Sequence, residues 1–243
     1  MAGHSHWAGI KHKKGRADKE RSKIFSKLSR EITVAAKLGD KDPVMNPRLR
    51  TAIQAAKQSN MPKDNIARAI SKSEISGDKN YENLRYEGFG SSNVAFIIET
   101  LTDNKNRSAS SIRTVLQKNG GRLGESGSTT HMFNNCGIIK FEKDKISEEK
   151  AFEIAINAGA KDCINKKDNF EIITEKEDFY KIKTEHEKKI NIFSYSAIEW
   201  RPINYIDLNK EQGDKILETL SALEELDDVQ NIFSNANLEK IEI

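Results

Sequence analysis

The hydrophobic period of this chain first changes at Gly77, from helix to strand, and that change limits the fold more than any motif does. Before it, apolar residues recur at three- and four-residue spacing. Ile24, Phe25, Leu28, Ile32, Ala35, Ala36 and Leu38 form one such stripe, with Gly39 where a left-handed C-terminal residue belongs. Asn46-Pro47 reads as a cap followed by proline at the first helical position. It opens a second helix with Leu49, Ile53 and Ala56 inward and an end near Asn60. Pro62 opens a third, with Asp64 in the first turn, where the helix dipole favours an acid, and Ile66, Ala67 and Ile70 inward. Three short helices with tight connections predict a small bundle. The turn between the last two has the outline of a helix-turn-helix, a weak signal because most short helix pairs bind nothing.

Beyond Gly77 the reading becomes mixed. Strands are expected over 81–90 and 93–101, then a helix over 105–119 stopped by Gly120-Gly121. A Gly- and Ser-rich loop over 120–130 reads as a flexible connection. Next come a strand over 137–142, a helix over 147–158, strands over 161–165 and 169–174, a helix over 176–187 and a strand over 194–200. That is the βαββαβ order of a ferredoxin-like unit. A strand over 204–208, a helix over 210–226 and a strand over 229–234 close the chain. Residues 81–133 supply strands and one helix but not a complete sheet, and the last three elements would complete it. The class expected is α+β: an N-terminal three-helix domain followed by two ferredoxin-like α+β domains, one inserted in the other. The boundaries are 1–77, 78–133 with 202–243, and 134–201, with a protease-sensitive hinge between Ser73 and Asn80.

Charge is unevenly spread over this plan. Residues 1–70 hold 16 Lys and Arg against 6 Asp and Glu, whereas residues 71–243 hold 24 against 31. The first thirty residues alone carry nine cations and two acids. Residues 3–15 are too rich in Gly, His and Lys to bury a core, so they read as a basic arm. Charge runs are usually only solvated tails. Here the cations mix Lys with Arg, and Trp7 adds an aromatic face that solubility does not require. Each Lys or Arg that neutralises a phosphate releases a condensed counterion, and an indole can stack on a base. Trp7, Lys11, His12, Lys13, Lys14, Arg16, Lys19, Arg21 and Lys23 are therefore the candidate nucleic-acid contacts. The competing reading of Trp7 is that it folds back on the bundle.

No catalytic constellation converges. The segment Gly120-Gly121-Arg122-Leu123-Gly124-Glu125-Ser126-Gly127-Ser128 lacks the Gly-Lys-Ser/Thr of a P-loop and the closing glycine of a nucleophile elbow. Its amides could hold a phosphate, though a connection is the simpler reading. His131 and His186 stand alone, and Glu224-Glu225 with Asp227-Asp228 reads as a solvated acidic helix end. Cys136 and Cys163, without a CxxC, read as reduced thiols. If Met1 is removed, the Ala2-Gly3-His4 amine, amides and imidazole could form a square-planar site for Cu(II) or Ni(II), read as incidental. No enzyme, cofactor or resident metal is expected. With no secretory signal and no bilayer-length apolar run, the expected location is the cytoplasm.

Long motifs now carry a resemblance. MAGHSHWAGIKHKKGRADKERSKIFSKLSREITVAAKLG at the start, NPRLRTAIQAAKQSNMPKDNIARAI from Asn46, YEGFG from Tyr86, LTDNKNR from Leu101 and GESGS from Gly124 resemble the YebC/PmpR family along essentially the whole chain. The resemblance implies a cytoplasmic three-domain protein with one α+β domain inserted in another. It implies a non-enzymatic regulator of gene expression, described for some members as DNA-binding transcriptional regulators. Other members, including mitochondrial relatives, look like ribosome-associated translation factors that act on proline-rich nascent stretches. The partner expected is thus DNA or ribosomal RNA, the latter with the ribosome itself, and the chain is expected to be a monomer off the membrane. There are departures: Ser91-Ser92-Asn93 stands where the family often has Pro-Gly-Gly. Thr130-His131 stands where an apolar residue and Trp usually precede Met132-Phe133, and Ser71-Lys72-Ser73 replaces a more basic, Gly-ending turn.

Overall fold

Asn46 shows how local chemistry sets the helical unit. Its Oδ1 accepts from the Leu49 amide at 3.0 Å, capping the second helix, and its Nδ2 donates to the carbonyls of Ala35 at 2.8 Å and Asp40 at 2.6 Å. One side chain therefore starts one helix and ties down the end of another. The computed structural model describes residues 17–75, 81–183 and 193–238. Its helices α1 (Ala17–Leu38), α2 (Pro47–Gln58) and α3 (Lys63–Ile75) pack around Leu28, Ile32, Ala35, Leu49, Ala52, Ala56, Met61, Ile66 and Ala69. Two readings change. Gly39 does not take a left-handed backbone. It is small because a Cβ there would lie 2.7 Å from Asn46 Nδ2. Ala67 is exposed and Ala69 takes the inward place, because Thr33 Oγ1 reaches the Ala69 carbonyl at 2.8 Å and draws that face against α1. Helix α3 runs through Ile75 and so covers the first part of the expected hinge; the rest of it, 76–80, lies outside the described residues.

The first sheet is built from β1 (Glu82–Phe89), β2 (Ala95–Thr102), β3 (Arg122–Leu123) and β8 (Val229–Ser234) in the order β3-β1-β2-β8. Successive side chains of β2 alternate between its faces. Phe96 and Ile98 meet α4 (Lys105–Lys118) and α6 (Lys210–Glu224) through Ile112, Leu116, Ile216 and Leu220. Ala95 and Ile97 meet Phe133 and Phe233 on the other side, with Trp200 against them. Between β3 and α6 the chain forms a second sheet from β4 (Phe133–Glu142), β5 (Asp162–Asn165), β6 (Asn169–Glu175) and β7 (Phe193–Pro202), with α5 (Glu148–Asn157) after β4. Its order β5-β6-β4-β7 is antiparallel throughout, the ferredoxin-like arrangement. The fold class is α+β, as the periodicity predicts. The expected strand over 204–208 does not form: Ile206 makes a single parallel bridge to Ala236, just past β8, its N–H donating to the Asn235 carbonyl at 2.7 Å and its carbonyl accepting from Asn237 at 2.8 Å. The helix expected from Lys176 begins at 179, and the rest of its expected span, 184–187, lies outside the described residues.

The turn joining β1 to β2 holds Ser92 at φ 56° and Asn93 at φ 57°. These are the positions where the family pattern has glycines. A left-handed backbone costs a non-glycine residue roughly 1–2 kcal/mol. Ser92→Gly should therefore stabilise the fold by about 1 kcal/mol, seen as a higher urea midpoint with an unchanged slope.

Candidate nucleic-acid interface

Helix α1 carries the described part of the expected interface. Trp7, Lys11, His12, Lys13, Lys14 and Arg16 lie outside the described residues, as do the Ala2-Gly3-His4 amine site and His186. Lys19 stands in the first turn of α1 and Arg21 is exposed on it. Lys23 is not directed outward: it forms an ion pair with Glu225, at the end of α6. One further turn pair along, Arg30 Nη1 donates to Asp228 Oδ1 at 2.9 Å, to the Asp227 carbonyl at 2.8 Å and to the Leu101 carbonyl at 3.3 Å. In the acidic segment after α6, Glu225 and Asp227 are exposed as a solvated face would be, but Asp228 is not. Asp228 is 8% exposed, and Arg107, Ser108 and Thr102 also donate to it. Burial pushes its carboxyl up, but the hydrogen bonds from Ser108, Arg107 and Thr102 outweigh burial and hold it below the usual range. A cleft of about 560 Å³ opens beside this contact, lined by Arg30, Tyr81, Arg107, Ser111 and Asp227 among others.

Elsewhere on the helical unit several cations are engaged internally. Arg48 grips Glu31 with Nε and Nη2 at 2.8 and 3.2 Å, Lys41 meets Glu74 at 2.6 Å, and Arg50 donates to the Pro43 and Val44 carbonyls at 3.2 Å. Lys57, Lys63 and Arg68 are exposed around the α2–α3 turn. They belong to no charge run, which is why a reading by runs passes over them. Their signal is helical spacing: none falls within the apolar stripe of its own helix, and Arg68 falls opposite it.

The loop over 120–130 is neither a free phosphate cradle nor a loose connection, because its amides already serve an acid. Glu87, on β1, accepts from the N–H groups of Gly127, Thr129 and Thr130 at 2.9, 2.8 and 2.9 Å, and from the hydroxyls of Thr130 at 2.6 Å and Thr129 at 3.2 Å. Burial raises its pKa. The bonds from the Thr130 hydroxyl and from the three amides overcome that and bring it down to about 2. Thr130, a departure from the family pattern, supplies the shortest of these bonds. His131 Nδ1 lies 3.4 Å from the Gly127 carbonyl and meets no nucleophile. Cys136 and Cys163 are free thiols, both raised by burial.

Between the sheets, Trp200 Nε1 and Asn231 Nδ2 donate to the two oxygens of Glu99 at 3.0 and 2.8 Å, and the Arg85 guanidinium stacks 4.9 Å over the Trp200 ring. On the second sheet Glu171 takes Arg201 and Lys140, and Tyr195 donates to Glu199, whose carboxyl burial holds high. No described helix is long and apolar enough to cross a membrane.

Residues 5–75 match the model of the TACO1/YebC protein N-terminal domain, and residues 81–236 match that of the TACO1/YebC second and third domain. A protein of Pelagibacter ubique (strain HTCC1062), named a probable transcriptional regulatory protein, is 57% identical over 237 residues, 98% of each chain. The crystal structure of a conserved hypothetical protein from Aquifex aeolicus superposes with a TM-score of 0.81 at 43% identity, covering 96% of this chain and 97% of that one. Matched from residue 5 to residue 236 and sharing its fold with a solved relative, the chain belongs to the TACO1/YebC family.

Proposed function

We propose that this chain is a non-enzymatic, cytoplasmic regulator of gene expression that binds nucleic acid, first of all DNA, through the basic residues at and before the start of α1. The observation that carries the reading is the segregation of charge, net +10 over residues 1–70 and −7 over the remainder. A polyanion is drawn to the first part and repelled by the second, which orients the chain on its partner. The name of the Pelagibacter relative supports a role in regulation. A second reading is a translation factor on ribosomal RNA, helping synthesis of proline-rich stretches. It is favoured by the narrowness of the described cationic strip: Lys23 and Arg30 turn toward acids. That leaves a thin contact better suited to an RNA crevice than to the face of a long duplex.

Deleting residues 1–21 should leave the fold intact and remove most binding. With about six phosphates contacted, log K on duplex DNA should fall with log salt at a slope of about −5 before the deletion. Undiminished affinity afterwards would remove the basis of the proposal. Trp7→Ala should cost about 1–3 kcal/mol of binding with the salt slope unchanged, since no charge is lost. A lower melting temperature with unchanged affinity would show that Trp7 packs on the protein instead. Gradient sedimentation of cell extract with crosslinking separates the two partners, by whether the chain travels with ribosomes or with DNA.

A further inference from the structure

We propose that the acidic corner between α6 and β8, Glu225 to Asp228, occupies the inward cations of α1 as an internal substitute for phosphate, so that closure of the helical unit and nucleic-acid binding compete. The proposal rests on the function just given. Lys23 and Arg30 are seven residues apart, two helical turns, and so share one face of α1. Both are largely covered, with side chains 31% and 25% exposed. Their acceptors, Glu225 and Asp228, are three residues apart on the segment leaving α6. A carboxylate and a phosphate oxygen offer a guanidinium the same acceptor geometry. Arg30 adds two carbonyls, of Leu101 and Asp227, so the corner holds it in the way a phosphate and its neighbours would.

The two contacts differ in strength. Glu225 is half exposed, and a pair of that kind contributes little and yields to salt. Asp228 is buried and shared with Arg107, Ser108 and Thr102. A polyanion would therefore displace Glu225 from Lys23 first. The open cleft beside Arg30 gives phosphates a route to that side. Binding would then be weaker in the closed chain than the number of its cations implies.

The test uses the full-length protein and the Glu225→Gln variant, which keeps every cation of α1. Treatment with a carbodiimide should join Lys23 to Glu225 through an amide in the free protein, identified by peptide mass. Saturating single-stranded polyuridylate or a DNA duplex should suppress that link. Glu225→Gln should bind the same probes about two- to fivefold more tightly, the range an exposed ion pair supplies. An undiminished cross-link at saturation, its absence from the free protein, or unchanged affinity in the variant would overturn the inference while leaving the proposed function standing. Failure of the unaltered chain to bind either probe would overturn the proposed function, and the inference with it.

Discussion

Glu87→Gln should lower stability at neutral pH by about 3 kcal/mol, the value of the depression that its hydrogen bonds impose from 4.5 to about 2. The side chain is 1% exposed, so solvent screens little of this. A glutamine keeps the size but replaces one acceptor oxygen with a donor. That donor would face the N–H groups of Gly127, Thr129 or Thr130, none of which can accept. The sign with pH follows. The native carboxyl is harder to protonate than the unfolded one, so its contribution is complete above pH 4.5 and is lost as pH falls toward 2. Urea midpoints measured across that window should fall steeply for the unaltered chain and less steeply for the variant. Equal slopes would mean that the loop over 120–130 is not held by this charge.

Much of the architecture is legible in the sequence because it depends on period and caps. The Asn46-Pro47, Ser147 and Asn209 starts are local signals, and each side chain caps the helix it precedes. The βαββαβ order is legible for the same reason, since the period switches at each boundary. What escapes is long-range polar pairing. Glu87 meets a loop some forty residues away, and Arg30 meets Asp228 across 198 positions. Neither contact leaves a period. A charged residue that will be buried with partners looks in sequence like one that stays in water, which is why the segment after α6 reads as solvated. The residues at 204–208 fail in the opposite way. They have strand composition, but a strand also needs a partner along several residues, and only Ile206 finds one, beside Ala236. The candidate contacts at and before Lys19 are read from composition alone, charge and the aromatic face of Trp7, and the described residues add only Arg21 and the inward turn of Lys23.

Asp228→Ala should be the most damaging single change at the junction of the helical unit with the first sheet, costing about 3 kcal/mol. The carboxylate gathers Arg30 from α1, Arg107 and Ser108 from α4, and Thr102 from the end of β2. Removing it leaves the buried Thr102 hydroxyl without its acceptor, leaves the buried Ser108 hydroxyl only Thr102 Oγ1 at 2.9 Å and the Asn104 carbonyl at 3.2 Å, and takes from two guanidiniums the carboxylate they share. Arg107 keeps Asp103 at 2.7 Å and is half exposed, so part of its loss is recovered in water. The other hydrogen bonds of Arg30 go only to neutral acceptors, the carbonyls of Leu101 and Asp227. The expected consequence is a loosened α1 as well as a less stable sheet. Asp227→Asn is the control. Arg30 uses only the backbone carbonyl of that residue, so the change should stay within about 0.5 kcal/mol. Combining Arg30→Ala with Asp228→Ala in a double-mutant cycle should return a coupling of about 1–3 kcal/mol. If the two changes instead add, the junction is held by apolar packing, and the buried carboxylate serves only the sheet that carries it.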